Sequence, residues 1–166
     1  MSWNYRGLGN HPVVQVLADL VRKKGPIILF LMETKLSVAK MQPIKAELDF
    51  PSMLVVPSLR RSGGLALLLK NDVVVDTQTY SPNHIEVHVS SPMQALWRMI
   101  SVYGHPEERM KSETWRLLKH LRVRASLPLV CLNDFNEILC SEEKNGRIPK
   151  LFQPMQDSKV LFFIVV

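Results

Sequence analysis

Apolar positions three and four apart, Val13, Leu17, Leu20 and Val21, mark one face of a helix that begins at about His11. Asn10 stands where its side chain can cap the first turn and Pro12 is tolerated there; Lys23, Lys24, Gly25 and Pro26 supply a basic last turn and a stop. Residues 27–32 are apolar at every position, the pattern of a strand covered on both faces, and the run closes on a lone acid, Glu33. Residues 37–48 predict a second helix interrupted at Pro43, and residues 53–56 a short strand. From Gly63 four β-like segments follow in succession, 65–69, 73–80, 85–90 and 95–103, separated by turn residues, and they predict an antiparallel meander. Met110, Thr114, Leu117, Leu118 and Leu121 then recur at helical spacing within 107–123, and a last apolar strand, 129–132, runs into Asn133-Asp134-Phe135-Asn136.

Helices at both ends of a strand-rich middle predict sheet packed on sheet with helices outside, in one domain. Composition agrees: 166 residues, 46% hydrophobic and 22% charged, suffice for one core and exclude a disordered tail or a fibre. Cys131 and Cys140 make neither a disulfide framework nor a zinc spacing, so a reducing intracellular compartment, nucleus or cytoplasm, is the expectation. No segment has the order of a signal peptide or the length of a bilayer span, so no membrane association is expected. Twenty-one basic against 15 acidic residues give +6, which attracts a polyanion without identifying one.

Polar groups stand just beyond several apolar strands: Asn4, Glu33, Tyr103, and Asp134 with Asn136. Strand ends and the loops after them are where a sheet holds functional groups at one rim. Taken singly, each is also an ordinary solvated acid, edge aromatic or turn residue.

Together, SWNYRGLGN at 2–10, MET at 32–34, RRSGGLALLLK at 60–70, YGHP at 103–106 and NDFNEIL at 133–139 resemble the endonuclease/exonuclease/phosphatase (DNase I-like) superfamily. Within it they are most similar to the apurinic-type endonuclease domain of plant LINE-type (non-LTR) retrotransposons. The resemblance implies an α+β fold, a two-layer β-sandwich flanked by helices in four layers, incomplete at the C-terminus. It implies a Mg²⁺ (or Mn²⁺) phosphodiesterase site acting on DNA: Glu33 binding the metal, Tyr103 approaching the scissile phosphate, Asn4 in the active site, and Asp134 and Asn136 handling the attacking water and the phosphate. These types suit the chemistry, since a hard cation offsets phosphoryl charge, a carboxylate accepts a proton from water, and an amide fixes geometry without adding repulsive charge. Arg6, Arg60 and Arg61, with Lys35 and Lys70, are candidates for tracking a nucleic-acid backbone.

Two departures qualify the resemblance. Asn133 stands where the family has Gly, and no Asp-His dipeptide follows, although the family closes its site with one. His11, His84, His88, His105 and His120 are no substitutes by position; His84 and His88 read as ordinary strand residues and the others as surface. The pattern resembles a domain over 1–157 that ends early, followed by a divergent apolar tail, 158–166, and it predicts poor solubility through open strand edges. Two other readings stay open: a catalytically inactive remnant that binds nucleic acid weakly, and a phosphatase acting on a small phosphoester.

Overall fold

A computed structural model of the chain describes residues 1–4, 8–58, 63–92, 94–105, 107–122 and 127–134. Two of its strands, β2 (Ile28–Met32) and β4 (Leu65–Leu69), are buried at every position. They pair antiparallel in the middle of a sheet ordered β1-β2-β4-β3. In that sheet β1 (Ser2–Asn4) lies parallel to β2, and β3 (Ser52–Val56) antiparallel to β4. Because successive strand side chains point to opposite faces, β2 and β4 feed two layers at once. Leu29, Leu31, Ala66 and Leu68 pack with the apolar faces of helices α1 (His11–Lys24) and α2 (Val38–Glu47). Phe30, Met32, Leu65, Leu67 and Leu69 pack against the second sheet. Each such fully buried side chain contributes about 1.5–3 kcal/mol of transfer free energy.

The second sheet is ordered β5-β6-β7-β8. Strands β5 (Val74–Ser81), β6 (His84–Ser91) and β7 (Gln94–Tyr103) form an antiparallel meander, and β8 (Leu129–Asp134) joins β7 in parallel. A 3-10 turn (Glu108–Met110) and helix α3 (Lys111–Arg122) lie between β7 and β8 in sequence. Ile85, Val87, Val89 and Met99 fill the space between the sheets, while Ile100 and Val102 pack with Trp115, Leu118 and Leu121 of α3. The layers are therefore helix, sheet, sheet, helix, the α+β sandwich expected. Among the described residues no helix is long and apolar enough to cross a membrane.

Several local expectations need correction. The segment at 65–69 belongs to the first sheet and not to the meander, which has three strands. Its unbroken LALLL run carries the reason, since a strand with no polar alternation needs cover on both faces. Asn10 occupies the N-cap of α1 in extended conformation, yet its side chain makes no capping hydrogen bond. Pro43 does not interrupt α2, which runs through it; the exposed ring removes one helical N–H and leaves Met41 and Ile44 facing inward. His84 is not an ordinary strand residue. It is buried on the outer side of the second sheet, bonded to Thr79 Oγ1 (3.0 Å) and Ser81 Oγ (2.7 Å). Thr79 in turn donates to Glu86 Oε2 (2.7 Å), and Arg98 Nε donates to Glu86 Oε1 (2.6 Å). Residues 135–166, with the boundary at 157 and the apolar tail, lie outside the described residues.

Candidate active site

Parallel strands end together, and the sandwich uses two such pairs at one rim. In the first sheet Asn4 closes β1 in register with Met32 of β2, so Asn4 and Glu33 leave neighbouring strand ends. In the second, Tyr103 closes β7 in register with Asp134 of β8. The Tyr103 hydroxyl donates to Glu33 Oε1 across the gap between the sheets, and β1 and β8 approach each other beside it. Four strand ends singled out in the sequence thus share one edge of the sandwich.

The Glu33 backbone is held in an uncommon conformation. Glu33 (φ 51°) and Lys35 (φ 56°) are both left-handed, on either side of the fully buried Thr34. Two amides fasten this turn to the start of β4: Thr34 N–H donates to Gly64 O and Lys35 N–H to Gly63 O, each at 3.1 Å. A third bond, Leu8 N–H to Thr34 O (3.2 Å), ties the turn to the segment after β1. Tyr103 is 5% exposed, its ring set in the inter-sheet core while its hydroxyl reaches Glu33 at the rim. Asn83, in the hairpin between β5 and β6, brackets it: Tyr103 N–H donates to Asn83 O (2.8 Å), and Asn83 Nδ2 donates to Tyr103 O (3.2 Å). Asn83 lies in a hairpin turn, and its bonds to Tyr103 span twenty positions, so no local signal reveals them. The double glycine of RRSGG was the only trace of the Gly63–Gly64 attachment.

Asn136, Arg6, Arg60 and Arg61 lie outside the described residues. Lys35 is exposed at the site rim. Lys70 is not at that rim. It follows Leu69, which pairs with Ile28 at the opposite end of the sheet, and there its ammonium pairs with Asp49 (2.8 Å) and lies 4.8 Å over the Phe50 ring. A lysine so occupied is withdrawn from the backbone-tracking set.

The donor chemistry suits a hard, loosely ligated divalent ion. Mg²⁺ takes one or two carboxylates and keeps several waters, and the half-buried Glu33 carboxylate offers such a ligand at the rim. Among the described residues no group of three or more His, Cys, Asp or Glu converges to hold a metal, so the closed cage of a structural zinc is not formed by them.

Comparisons with known proteins bear on the family and the fold. Residues 1–152 match the Endonuclease/Exonuclease/phosphatase family. No curated protein matches the chain in sequence. Among solved structures, D. rerio TDP2 complexed with single strand DNA product superposes with a TM-score of 0.62 at 16% identity, covering 82% of this chain and 60% of that one. The 3' phosphatase NExo from Neisseria, bound to a product DNA hairpin, gives 0.59 at 24% identity, covering 84% and 58%. The endonuclease domain of TRAS1, a telomere-specific non-LTR retrotransposon, gives 0.55 at 12% identity, covering 81% and 57%. At these identities the likeness shows the fold, which is DNase I-like. The chain spans about three fifths of the length of each of these three solved chains.

Proposed function

The chain belongs to the Endonuclease/Exonuclease/phosphatase family, and from that premise we propose that it is a divalent-metal-dependent phosphodiesterase of retrotransposon origin that acts on DNA. The observation that carries the reading is the hydrogen bond from Tyr103 to Glu33, which joins the two parallel strand pairs at one rim.

Glu33 is the residue that would hold the cation, Mg²⁺ or Mn²⁺. When bound, such a cation neutralises charge developing on the phosphoryl oxygens. The remaining roles belong to the chain itself. Tyr103, whose single hydroxyl proton goes to Glu33, fixes the orientation of that carboxylate beside the scissile phosphate. Asp134 accepts the proton of the attacking water. Asn4 and Asn136 hold the phosphate through neutral amides, which add no repulsive charge beside a phosphodiester. Arg6, Arg60 and Arg61 contact the flanking backbone, and the net charge of +6 favours approach of a polyanion. DNA is preferred to a small phosphoester as substrate because two of the solved neighbours hold DNA and a third is a retrotransposon endonuclease domain.

Plasmid nicking in Mg²⁺ tests the reading. Wild-type chain converts supercoiled DNA to open circles, while Glu33→Ala and Asp134→Ala lose that conversion by at least a hundredfold. Equal rates in all three sink it.

A further inference from the structure

The turn that carries Glu33 is not held by its own sequence. Left-handed φ at a residue other than Gly, Asn or Asp costs of order 1 kcal/mol or more, and Glu33 and Lys35 adopt it on both sides of one buried threonine. Such a conformation persists only where the surroundings over-determine it. Here the surroundings are Gly63 and Gly64, themselves left-handed at φ 78° and 89°. Their carbonyls receive the Lys35 and Thr34 amides. The approach is close: a Cβ on Gly64 would stand 2.6 Å from Thr34 Oγ1 and 3.1 Å from the Lys35 nitrogen. Any side chain at 64 therefore pushes this turn away from β4, and the two amide bonds lengthen with it.

We propose that Gly64 is a positioning residue for the candidate metal site, setting the direction of the Glu33 carboxylate through the backbone bonds of Thr34 and Lys35. The inference rests on the metal-dependent reading of Glu33 above. Gly64 touches neither cation nor substrate; it acts by letting one strand approach the turn of another more closely than any residue with a Cβ allows. Tyr103 then completes the setting from the second sheet by bonding Glu33 Oε1. That bond engages one oxygen of the carboxylate. A ligand held from both sheets is aimed more narrowly than one on a free loop, and small displacements of a ligand carry large penalties in affinity.

The test measures Mn²⁺ affinity by electron paramagnetic resonance on the full chain, without any turnover. Gly64→Ala is compared with Gly25→Ala, which has a similar left-handed strain (φ 56°), no atom near the added Cβ and a place at the C-cap of α1, away from Glu33. Gly64→Ala weakens Mn²⁺ binding at least tenfold, Gly25→Ala leaves it within twofold of wild type, and adding Thr34→Ala to Gly64→Ala recovers a measurable part by removing the nearest atom. If Gly64→Ala does not fold, amide hydrogen exchange on the wild type stands in: Thr34 and Lys35 exchange at least a hundredfold slower than unprotected loop amides. Wild-type binding with Gly64→Ala unchanged, or fast exchange at both amides, overturns the positioning role and leaves the functional reading in place. A wild type that binds no Mn²⁺ overturns both.

Discussion

Tyr103 and Glu33 are seventy positions apart in the chain and bonded to each other, hydroxyl to carboxylate, across the seam between the two sheets. The ring of Tyr103 belongs to the core and its hydroxyl to the rim, so one residue contributes to packing and to site geometry together. Its backbone is held on both sides by Asn83, and its ring is packed in the core between the sheets.

Tyr103→Phe separates these two contributions. The ring stays and the hydroxyl is lost, leaving Glu33 without this donor. Since Glu33 is partly solvated, stability falls by only about 1 kcal/mol, a shift of roughly 2–4 °C in melting temperature for a chain of this size. Nicking falls further, by tenfold or more, because the carboxylate is no longer aimed. Melting curves and plasmid assays on the same preparation check both.

A bound cation stabilises the state that binds it. Saturating Mg²⁺ at about a hundred times its dissociation constant adds about 2.7 kcal/mol, which raises the melting temperature of the wild-type chain by several degrees. Glu33→Ala abolishes that increment without abolishing the transition. Differential scanning fluorimetry with and without Mg²⁺, against a Ca²⁺-free chelator control, reads this directly.

Burial lowers the pKa of His84 below its ordinary value, with Glu86 partly opposing the shift. A buried imidazole that resists protonation binds fewer protons than the unfolded chain just below the ordinary histidine value of about 6.5. Its contribution to stability is therefore complete above that pH and is lost as the pH falls toward the lowered folded value. Melting temperature recorded from pH 8 to 5 declines below about 6.5, and His84→Gln flattens that part of the curve.

The Arg98–Glu86 pair is 1% and 4% exposed by side chain, with the guanidinium also donating to the Leu121 carbonyl at the end of α3. Arg98→Met strands a buried carboxylate and costs about 3–5 kcal/mol. Pairing it with Glu86→Leu removes both charges and recovers most of the loss, since well-packed apolar replacements of such pairs are often neutral. Urea denaturation midpoints of the two variants decide it; equal midpoints contradict a buried, coupled pair.

Local patterning made most elements legible. The helical spacing of Val13, Leu17 and Val21 and the alternation of Ile85, Val87 and Val89 are repeats of the backbone's own geometry, and both appear as expected. The unbroken apolar runs of β2 and β4 are the same signal, strands covered on two faces. Leu65 to Leu69 adjoins the meander in the chain, whereas its pairing follows the need to bury both faces and sets it in the first sheet. The buried cluster of His84, Glu86 and Arg98 is not legible in the sequence, because a polar residue on a strand gives no sign of whether a helix will cover it.

The candidate site divides along the same line. Residue types at strand ends, and their order, came from the chain itself: Asn4, Glu33, Tyr103 and Asp134 each stand where an apolar strand stops. Which of these ends meet was decided only by tertiary structure, because parallel register and sheet stacking are long-range relations that no local window contains. The same holds for Lys70, a basic residue like the others by sequence, which the antiparallel pairing of β2 and β4 carries to the opposite end of the sheet and into an ion pair with Asp49. Composition and periodicity determined a helix-flanked sandwich with acids and amides at its strand ends. Three-dimensional packing alone set Glu33 against Tyr103 and Gly64 against Thr34, since close approach depends on how two sheets and a turn fill the same space.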